Sequence, residues 1–217
     1  MDLISYLQHS WPTLLRLTAE HLALVGAAVG LAIVTGVPLG IVMTRHRWLA
    51  TPLLTLATIV LTLPSIALFG LMIPIFARFG HALGYLPAVT AVFLYSLLPI
   101  MRNTYTALAN VDPGIQEAGR GIGMTPWQRL RLVDLPLAVP VILGGVRTAV
   151  VMNIGVTTIA ALIGAGGLGV LILQAISQSN MSKLAIGAAL VSLLAIAADA
   201  GLQALQRALT PKGIRQS

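Results

Sequence analysis

The sequence contains no cysteine among its 217 residues, so disulfide bonds and thiolate metal sites are excluded. Charged residues are also scarce at 9% of the chain, whereas 57% of the residues are hydrophobic. The mean hydropathy of +0.93 is well above what a soluble domain needs to fill one core. This composition indicates a membrane protein.

Two further absences narrow the function classes. The phosphate-binding pattern G-x-x-x-x-G-K-[ST] does not occur, so the chain is not expected to be an ATPase of that mechanism. No aromatic cluster provides a cage for a quaternary ammonium group. The histidines are scattered, which argues against a metal cluster and favours side chains at the membrane interface. They are His9, His21, His46 and His81.

Five apolar runs are each long enough to cross about 30 Å of hydrocarbon as a helix. They cover about residues 20–44, 53–77, 83–101, 137–163 and 184–208. We therefore predict an all-α membrane protein built as a bundle of about five transmembrane helices. Residues 166–179 allow a sixth element, although their Gly-rich start and polar side chains favour a short helix at the membrane surface.

Basic residues are distributed unequally between the two ends of these spans. One end carries nine, at positions 45, 47, 102, 120, 129, 131, 207, 212 and 215, and the other carries three, at positions 16, 78 and 183. The positive-inside rule then places the N-terminus outside and the C-terminus in the cytoplasm. The net charge of +7 is explained by this orientation and does not indicate nucleic-acid binding.

This orientation divides the chain into three parts. Residues 1–19 are expected to form an external interfacial segment, residues 20–209 the membrane domain, and residues 210–217 a short cytoplasmic tail. Within the membrane domain, the longest cytoplasmic connection covers about residues 102–136.

This connection carries local signals for two helices. Asp112 before Pro113 predicts one helix start, and Thr125, followed by glutamine three residues later, predicts a second through a capping box. The first helix contains Gly119 and Gly121, and each interior glycine costs about 1 kcal/mol relative to alanine. Small residues leave a surface that another protein can approach closely, so we interpret the segment as a docking site. A solvated loop that joins two spans is the alternative.

Residues 117–136 of the connection read EAGRGIGMTPWQRLRLVDLP. In this stretch EAG is followed by three residues, a glycine, nine residues and then VDLP. The spacing resembles the EAA loop of ATP-binding-cassette importer permeases, whose pattern is EAA, three residues, G, nine residues and I-x-L-P. Gly119 stands where alanine is usual, and Val133 stands where isoleucine is usual.

Other stretches are similar to the osmoprotectant branch of that superfamily, which imports glycine betaine, choline, carnitine or proline. They are LTLPSIALFGLMIPIF, LPIMRNTYTAL, LPLAVPVILGGVRTAV and LIGAGGLGVLI. The methionine-importer permeases share the EAA loop and a similar GAGGLG segment, so they are the alternative branch.

The resemblance implies a type I importer fold in the bacterial cytoplasmic membrane. Two permease chains would form the pathway among membrane lipid, two ATPase subunits would bind from the cytoplasm, and an external binding protein would deliver the solute. ATP and magnesium would be bound by the ATPase, so this chain would hold no cofactor and no catalytic residue. The EAA helix would seat in a groove of the ATPase, whose closure would switch access from one side to the other.

The resemblance also assigns roles within the loop. The matching residues are Glu117, Ala118, Gly119, Gly123, Val133, Leu135 and Pro136. The small residues at positions 118, 119 and 123 would provide the close-fitting surface, and the glutamate would provide a charge contact. The Leu-Pro pair would form a rigid exit into the fourth span. Because a proline biases the preceding residue away from helix, we expect a sharp turn there.

A second glycine motif, GAGGLG at residues 164–169, matches the G-x-G-x-x-G pattern of dinucleotide-binding sites. That mechanism requires a strand before the motif, a helix after it and an acidic residue about twenty positions further on. A membrane span precedes the motif here, and residues 184–190 contain no acidic side chain. We therefore interpret the motif as a flexible outer turn, with a hinge or gate as the alternative.

Polar side chains within the spans are candidates for function because burial in hydrocarbon is costly. Arg147 and Asp199 lie about 15 and 14 Å from the cytoplasmic ends of their spans, so we predict an ion pair, within one chain or across a permease dimer. Asn153 and Thr157 share a helix face, and with Ser65 they are candidates for the pathway wall. Hydrogen bonding between helices is the alternative.

These observations favour the permease subunit of an ATP-driven importer for compatible solutes, with a methionine or other amino-acid importer as the alternative. A stand-alone secondary transporter or channel would need coupling-ion sites near the midplane and often paired repeats. It would also leave the EAA spacing unexplained. A membrane scaffold without transport activity would need neither the loop nor the intramembrane polar face.

Overall fold

The computed structural model describes residues 3–210, with side chains from residue 10 onward. Every regular element in this part of the chain is helical. The helices are α1 (Leu3–Arg45), α2 (Arg47–Thr62), α3 (Ser65–Ala77), α4 (Tyr85–Ala109), α5 (Pro113–Gly121), α6 (Pro126–Arg129), α7 (Leu135–Val156), α8 (Gly169–Ser177) and α9 (Met181–Leu209). A π-helical turn, Leu130–Asp134, joins α6 to α7, and a 3-10 helix, Thr157–Ile163, continues α7. Most of the predicted tail, residues 211–217, lies outside the described residues.

Four helical stretches are long and apolar enough to cross a membrane. They are Ser10–Arg45, Tyr85–Ala109, Pro126–Ile163 and Met181–Leu209. Helices α2 and α3 meet this requirement only together, and they are bent by 103° at the break between them. The predicted all-α bundle is confirmed, and the apolar run predicted over about residues 53–77 corresponds to this bent pair of helices.

The break between α2 and α3 lies at Leu63 and Pro64, both of which have extended backbone with ψ of 136° and 132°. A proline disfavours helical backbone in the residue before it and has no N–H to donate. The carbonyl of Leu63 accepts a hydrogen bond of 2.7 Å from the hydroxyl of Tyr95 on α4, which replaces a hydrogen bond within the helix. The bend is therefore fixed by a tertiary contact.

Helices α1 and α4 run in the same direction. The hydroxyl of Tyr85 lies 3.3 Å from the carbonyl oxygen of Ala23 at one end. At the other end, a Cβ added to Gly40 would lie 2.6 Å from Cβ of Thr104. These two contacts are separated by about 26 Å of helix rise, so the chain between α1 and α4 must return across the same thickness. Helices α2 and α3 make that return together, which gives five crossing segments.

The remaining crossings alternate in direction. Helix α7 is antiparallel to α4, because Gly145 lies against Pro99 while Asn153 binds Ser96. Helix α9 is antiparallel to α7, because Arg147 contacts Asp199 while Gln206 binds the carbonyl of Pro140. The start of α1 and the end of α9 therefore lie at opposite ends of the bundle. Which end faces the cytoplasm stays a prediction.

Burial differs sharply among the helices. In the most apolar window of α4, 56% of the residues are buried, against 11% in α9. Helix α4 is thus the central helix of the bundle, and α9 packs on one side only. The core around α4 includes Leu24, Phe69, Val92, Tyr95 and Ala160.

Two further segments named in the sequence analysis, residues 3–19 and 166–179, contain helix in the structure. Helix α1 begins at Leu3, so residues 3–19 are the first turns of a continuous helix, and their place relative to the bilayer stays a prediction. Residues 166–179 form a loop followed by the nine-residue helix α8, which rises only about 13 Å and cannot span. Helix α8 packs tightly on α9, where a Cβ added to Gly187 would lie 2.9 Å from Cγ1 of Ile172.

Candidate coupling segment and intramembrane polar site

The coupling segment, residues 112–136, begins both of its helices with the predicted caps. The side chain of Asp112 accepts a hydrogen bond of 2.7 Å from the backbone N–H of Gly114. Thr125 accepts from the N–H of Gln128 at 3.2 Å, and the Gln128 side chain accepts from the N–H of Thr125 at 2.9 Å. These caps satisfy backbone donors that a helix start leaves without intrahelical partners.

Helix α5 ends in a Schellman motif centred on Gly123. The N–H of Gly123 donates to the carbonyl of Arg120 at 2.9 Å, and the N–H of Met124 donates to the carbonyl of Gly119 at 3.0 Å. Gly123 has φ of +82°, in the left-handed region that residues with a Cβ adopt only with strain. The glycine of the EAA pattern therefore reverses the chain direction between α5 and α6.

The small residues of the loop do not all face outward. Glu117, Ala118 and Gly123 are exposed, as a docking surface requires. Gly119 is buried, and a Cβ there would lie 3.5 Å from Cγ of Arg129 and 3.6 Å from the sulfur of Met124. The predicted place of Gly119 on the close-fitting surface is therefore corrected, because this residue packs inside the coupling segment.

Exposed apolar side chains are the feature of the coupling segment that the sequence analysis missed. Ile122 is 76% exposed, Trp127 63% and Leu132 63%. Ile115 and Ala118 on α5 and Ile122, which caps its C-terminal end, are spaced three and four residues apart, so they lie on one side of this segment. These side chains could have been predicted to be exposed, because isoleucine and tryptophan occur here in an otherwise polar stretch.

The exit from the coupling segment is a continuous helix, where a sharp turn was expected. Leu135 has helical φ and ψ of −65° and −48°, and its N–H bonds to the carbonyl of Leu130 across the π-helical turn. Pro136 has no N–H and would clash with a carbonyl one regular turn earlier, and the wider π turn accommodates it. Val133, Leu135 and Pro136 are half-buried along this exit.

The π-helical turn contains an ion pair. Nε of Arg129 lies 3.2 Å from Oδ2 of Asp134, and the two side chains are only 19% and 9% exposed. Oδ1 of Asp134 is buried and has no hydrogen-bond partner among the described residues. Arg129 thus contacts both Gly119 beneath α5 and the carboxylate that precedes α7.

Arg147 and Asp199 are brought together within one chain. Nη2 of Arg147 donates to Oδ2 of Asp199 at 2.6 Å, and Nε of Arg147 donates to Oδ1. The two hydrogen bonds connect α7 with α9. The side chain of Arg147 is 32% exposed and that of Asp199 is 35% exposed. The pair lines an open cavity of about 540 Å³ together with Gly144, Thr148, Val151, Met152 and Gln206.

The residues proposed for the pathway wall occupy other places. Asn153 and Thr157 are fully buried, and Nδ2 of Asn153 donates to Oγ of Ser96 on α4 at 2.8 Å. Their predicted position on a pathway wall is therefore wrong for this arrangement of the chain, and Asn153 joins two helices by hydrogen bonding. Ser65 is half-buried at the first position of α3, beside the break after α2.

A different face of α7 is open. Gly144, Thr148, Val151 and Gly155 lie three or four residues apart, and no atom outside α7 lies within 4 Å of a Cβ added at either glycine. Thr148 and Gly155 are exposed. The spacing of these residues in the sequence could have indicated this face, but the residues around them are apolar, so the face did not stand out.

The GAGGLG loop is held in place by α1. Its residues Gly164, Gly166 and Gly167 have φ between +76° and +81°. The N–H of Gly167 donates to the carboxylate of Glu20 at 3.1 Å, and a Cβ added to Gly167 would lie 3.0 Å from Nδ1 of His21. Two neighbouring α1 side chains therefore contact the loop, and its flexibility stays a prediction.

The histidines also occupy different environments. His21 is fully buried inside the bundle, and its Nε2 lies 2.9 Å from the carbonyl oxygen of Ile154. His46 and His81 are exposed, and the side chain of His9 lies outside the described residues. No group of three or more potential metal ligands is found in the part of the chain that the structure describes.

Comparison with known proteins connects this geometry to a family. Residues 36–211 match the family model described as binding-protein-dependent transport system inner membrane component. The chain is 64% identical to the osmoprotectant import permease protein OsmW of Salmonella typhimurium, over 99% of this chain and 100% of that protein. It is 41% identical to the glycine betaine/carnitine/choline transport system permease protein OpuCB of Bacillus subtilis, over 99% and 96% of the two chains.

Solved structures share the fold. An inward-facing MetNI methionine ABC transporter matches with a TM-score of 0.83 at 26% identity, over 91% of this chain and 96% of that chain. An amino acid ABC transporter with histidines matches with a TM-score of 0.77 at 20% identity, over 95% and 98%. The fold of this chain is thus a known architecture of importer permeases.

Proposed function

Because the chain belongs to the family of binding-protein-dependent transport system inner membrane components, we propose that it is the permease subunit of an ATP-driven importer for compatible solutes. The solutes are glycine betaine, carnitine, choline or proline. The observation that carries this proposal is the 64% identity, over 99% of the chain, to an osmoprotectant import permease. As an inner-membrane component with several apolar helices, the chain is a multi-pass membrane protein.

The proposed transport unit contains two permease chains, two cytoplasmic ABC ATPase subunits and an external substrate-binding protein. ATP and magnesium bind to the ATPase, and the permease contributes no catalytic residue. The N-terminus lies outside, so the coupling segment projects into the cytoplasm towards the ATPase. Its exposed apolar residues, with Ile122 76% exposed, provide the surface that the ATPase covers.

The alternative substrate class is an amino acid such as methionine. It has less support, because the methionine and amino-acid transporters that match this chain are only 26% and 20% identical to it. Such low identity supports a shared fold and does not indicate a shared substrate. A stand-alone transporter has no such support from relatives.

The test is solute uptake by proteoliposomes that contain this chain, the ATPase and the binding protein encoded with it. We expect ATP-dependent uptake of radiolabelled glycine betaine. The variant Ile122→Asp places a charge in the apolar docking surface and is expected to abolish both uptake and co-purification of the ATPase, whereas Ile122→Leu retains both. Uptake of methionine alone would favour the alternative substrate class, and uptake without the ATPase would overturn the proposal.

A further inference from the structure

The pair formed by Arg147 and Asp199 lies at depth on an open face of the chain. Asp199 lies ten residues before Leu209, the end of α9, which corresponds to about 15 Å of helix rise. About a third of each side chain is exposed, although the residues on the inner side of α7, such as Ala149 and Asn153, are fully buried. The pair therefore bridges α7 and α9 at the edge of their contact, and one side of it is open to the outer face of the chain.

This face is unsuited to contact with lipid. Charged groups inside a membrane face the interior of a bundle or a water-filled cavity, because contact with hydrocarbon is costly. The cavity beside the pair is also lined by Thr148 and Gln206, which add a hydroxyl and an amide. In a transport unit with two permease chains, such a surface belongs between the chains, where the solute passes.

The dimensions of the cavity suit a small solute. Its volume of about 540 Å³ lies within the range of about 300–1,000 Å³ that is typical of small-molecule sites. Gly144 contributes no side chain to the lining, and no atom outside α7 lies within 4 Å of the position that its Cβ would take. A compact solute can therefore approach the guanidinium and the carboxylate from the same side.

We propose that Arg147 and Asp199 form a transient binding site for the transported solute, selective for zwitterions that carry a carboxylate and a substituted ammonium group. This inference rests on the proposed function. The carboxylate of the solute pairs with Arg147 and its ammonium group with Asp199, while the ion pair within the protein opens. Each charge exchanges one partner for another, so neither is left unpaired at depth.

The same chemistry predicts discrimination between two solutes. Glycine betaine carries both charges, whereas choline carries the quaternary ammonium group and no carboxylate. Choline can pair with Asp199 but leaves Arg147 without a partner. The two residues should therefore contribute unequally to the transport of the two solutes, and a purely structural ion pair between α7 and α9 would not produce this difference.

The first experiment measures uptake of glycine betaine and choline by the complete importer with wild-type chain, Arg147→Gln or Asp199→Asn. Wild-type uptake of either solute tests the proposed function separately. We expect Arg147→Gln to lower the ratio of betaine to choline uptake by about tenfold, in line with loss of one hydrogen bond to a charged group, and Asp199→Asn to raise this ratio. Equal losses for both solutes in both variants would overturn the inference.

A second measurement keeps the ion pair intact. Because the chain contains no cysteine, Thr148→Cys introduces its sole thiol into the cavity, and Leu162→Cys serves as a control at another exposed site. We expect millimolar glycine betaine, but not sucrose at equal osmolarity, to slow the reaction of Thr148→Cys with a methanethiosulfonate reagent. The control should react at an unchanged rate. Equal reaction rates with and without betaine at Thr148→Cys would contradict the proposed site.

Discussion

The guanidinium of Arg129 donates to the carboxylate of Asp134 across the π-helical turn, with Nε 3.2 Å from Oδ2. The stem of Arg129 lies beside Gly119, which has no side chain to displace it. One side chain therefore contacts both the packed side of α5 and the entrance to α7. In the proposed importer, we expect this contact to transmit movement of the docked helix α5 to the membrane span.

Replacement of Arg129 by methionine tests this connection. The variant keeps an apolar stem beside Gly119 but leaves the buried Asp134 carboxylate without a partner. Hydrogen bonds to charged groups contribute about 1.5–3 kcal/mol, so we expect a lower melting temperature of the purified complex and more ATP hydrolysed per solute transported. Arg131→Met is the matched control, because Arg131 is exposed two residues away. Similar losses in both variants would argue against the connection.

Alanine substitutions at Gly121 and Gly123 test backbone strain without steric overlap, because both positions have free space for a Cβ. A Cβ at either position meets no atom within 4 Å, but only Gly123 has a positive φ, of +82°. We expect Gly123→Ala to destabilise the coupling segment by about 1–2 kcal/mol and Gly121→Ala to stabilise helix α5 by about 1 kcal/mol. Thermal unfolding of the purified permease measures both. A Gly123→Ala variant that melts at or above the wild-type temperature would show that the turn is not strained.

The local chemistry of the coupling segment was largely predictable from the sequence. Caps such as Asp112 and Thr125 act on backbone groups two or three residues away, so their partners are readable from spacing. The pairing of Arg147 with Asp199 was likewise predictable, because the constant rise per residue puts both at similar distances from the same ends of their helices. These features follow from spacing along each helix.

Features that depend on several helices could not be predicted in the same way. The spans are apolar on most sides, so hydropathy does not reveal that Asn153 faces α4 while Thr148 faces outward. The loop around Gly167 is fixed by Glu20, which is 147 positions earlier in the chain. Gly119 appeared to belong to a surface of small residues, but its burial depends on the packing of Arg129.

Gly145 determines how closely α7 approaches α4. A Cβ at Gly145 would lie 2.6 Å from the carbonyl oxygen of Pro99 and 2.7 Å from Cβ of Asn103, both on a helix that cannot easily move. Gly144, the preceding residue, has open space at the same position. We expect Gly145→Ala to destabilise the permease by about 1–3 kcal/mol, as overpacking does, and Gly144→Ala to leave its melting temperature at or slightly above that of wild type, because alanine favours helix in open space. Equal effects would mean that the helices can separate without penalty.

The contact between Glu20 and Gly167 predicts how the GAGGLG loop is restrained. The carboxylate accepts the Gly167 N–H at 3.1 Å, and His21 fills the space beside it. Glu20→Ala removes the acceptor, so amide hydrogen exchange in residues 164–168 should become faster in the purified importer. Arg16→Ala is the control, because Arg16 lies 3.6 Å from Glu20 but is itself 71% exposed at its side chain. Unchanged exchange in Glu20→Ala would show that the carboxylate does not hold the loop.

Gly167→Ala and Gly164→Ala test the same restraint from the side of the loop. Both glycines have positive φ, of +77° and +76°, so alanine costs about 1–2 kcal/mol at each position through backbone strain. Only at Gly167 does the added Cβ also meet His21 Nδ1 at 3.0 Å, whereas Gly164 has open space. Because His21 is fully buried and bound to the Ile154 carbonyl, it cannot yield without breaking that contact. Gly167→Ala should therefore lower the melting temperature more than Gly164→Ala, and the opposite order would show that His21 does not restrain the loop.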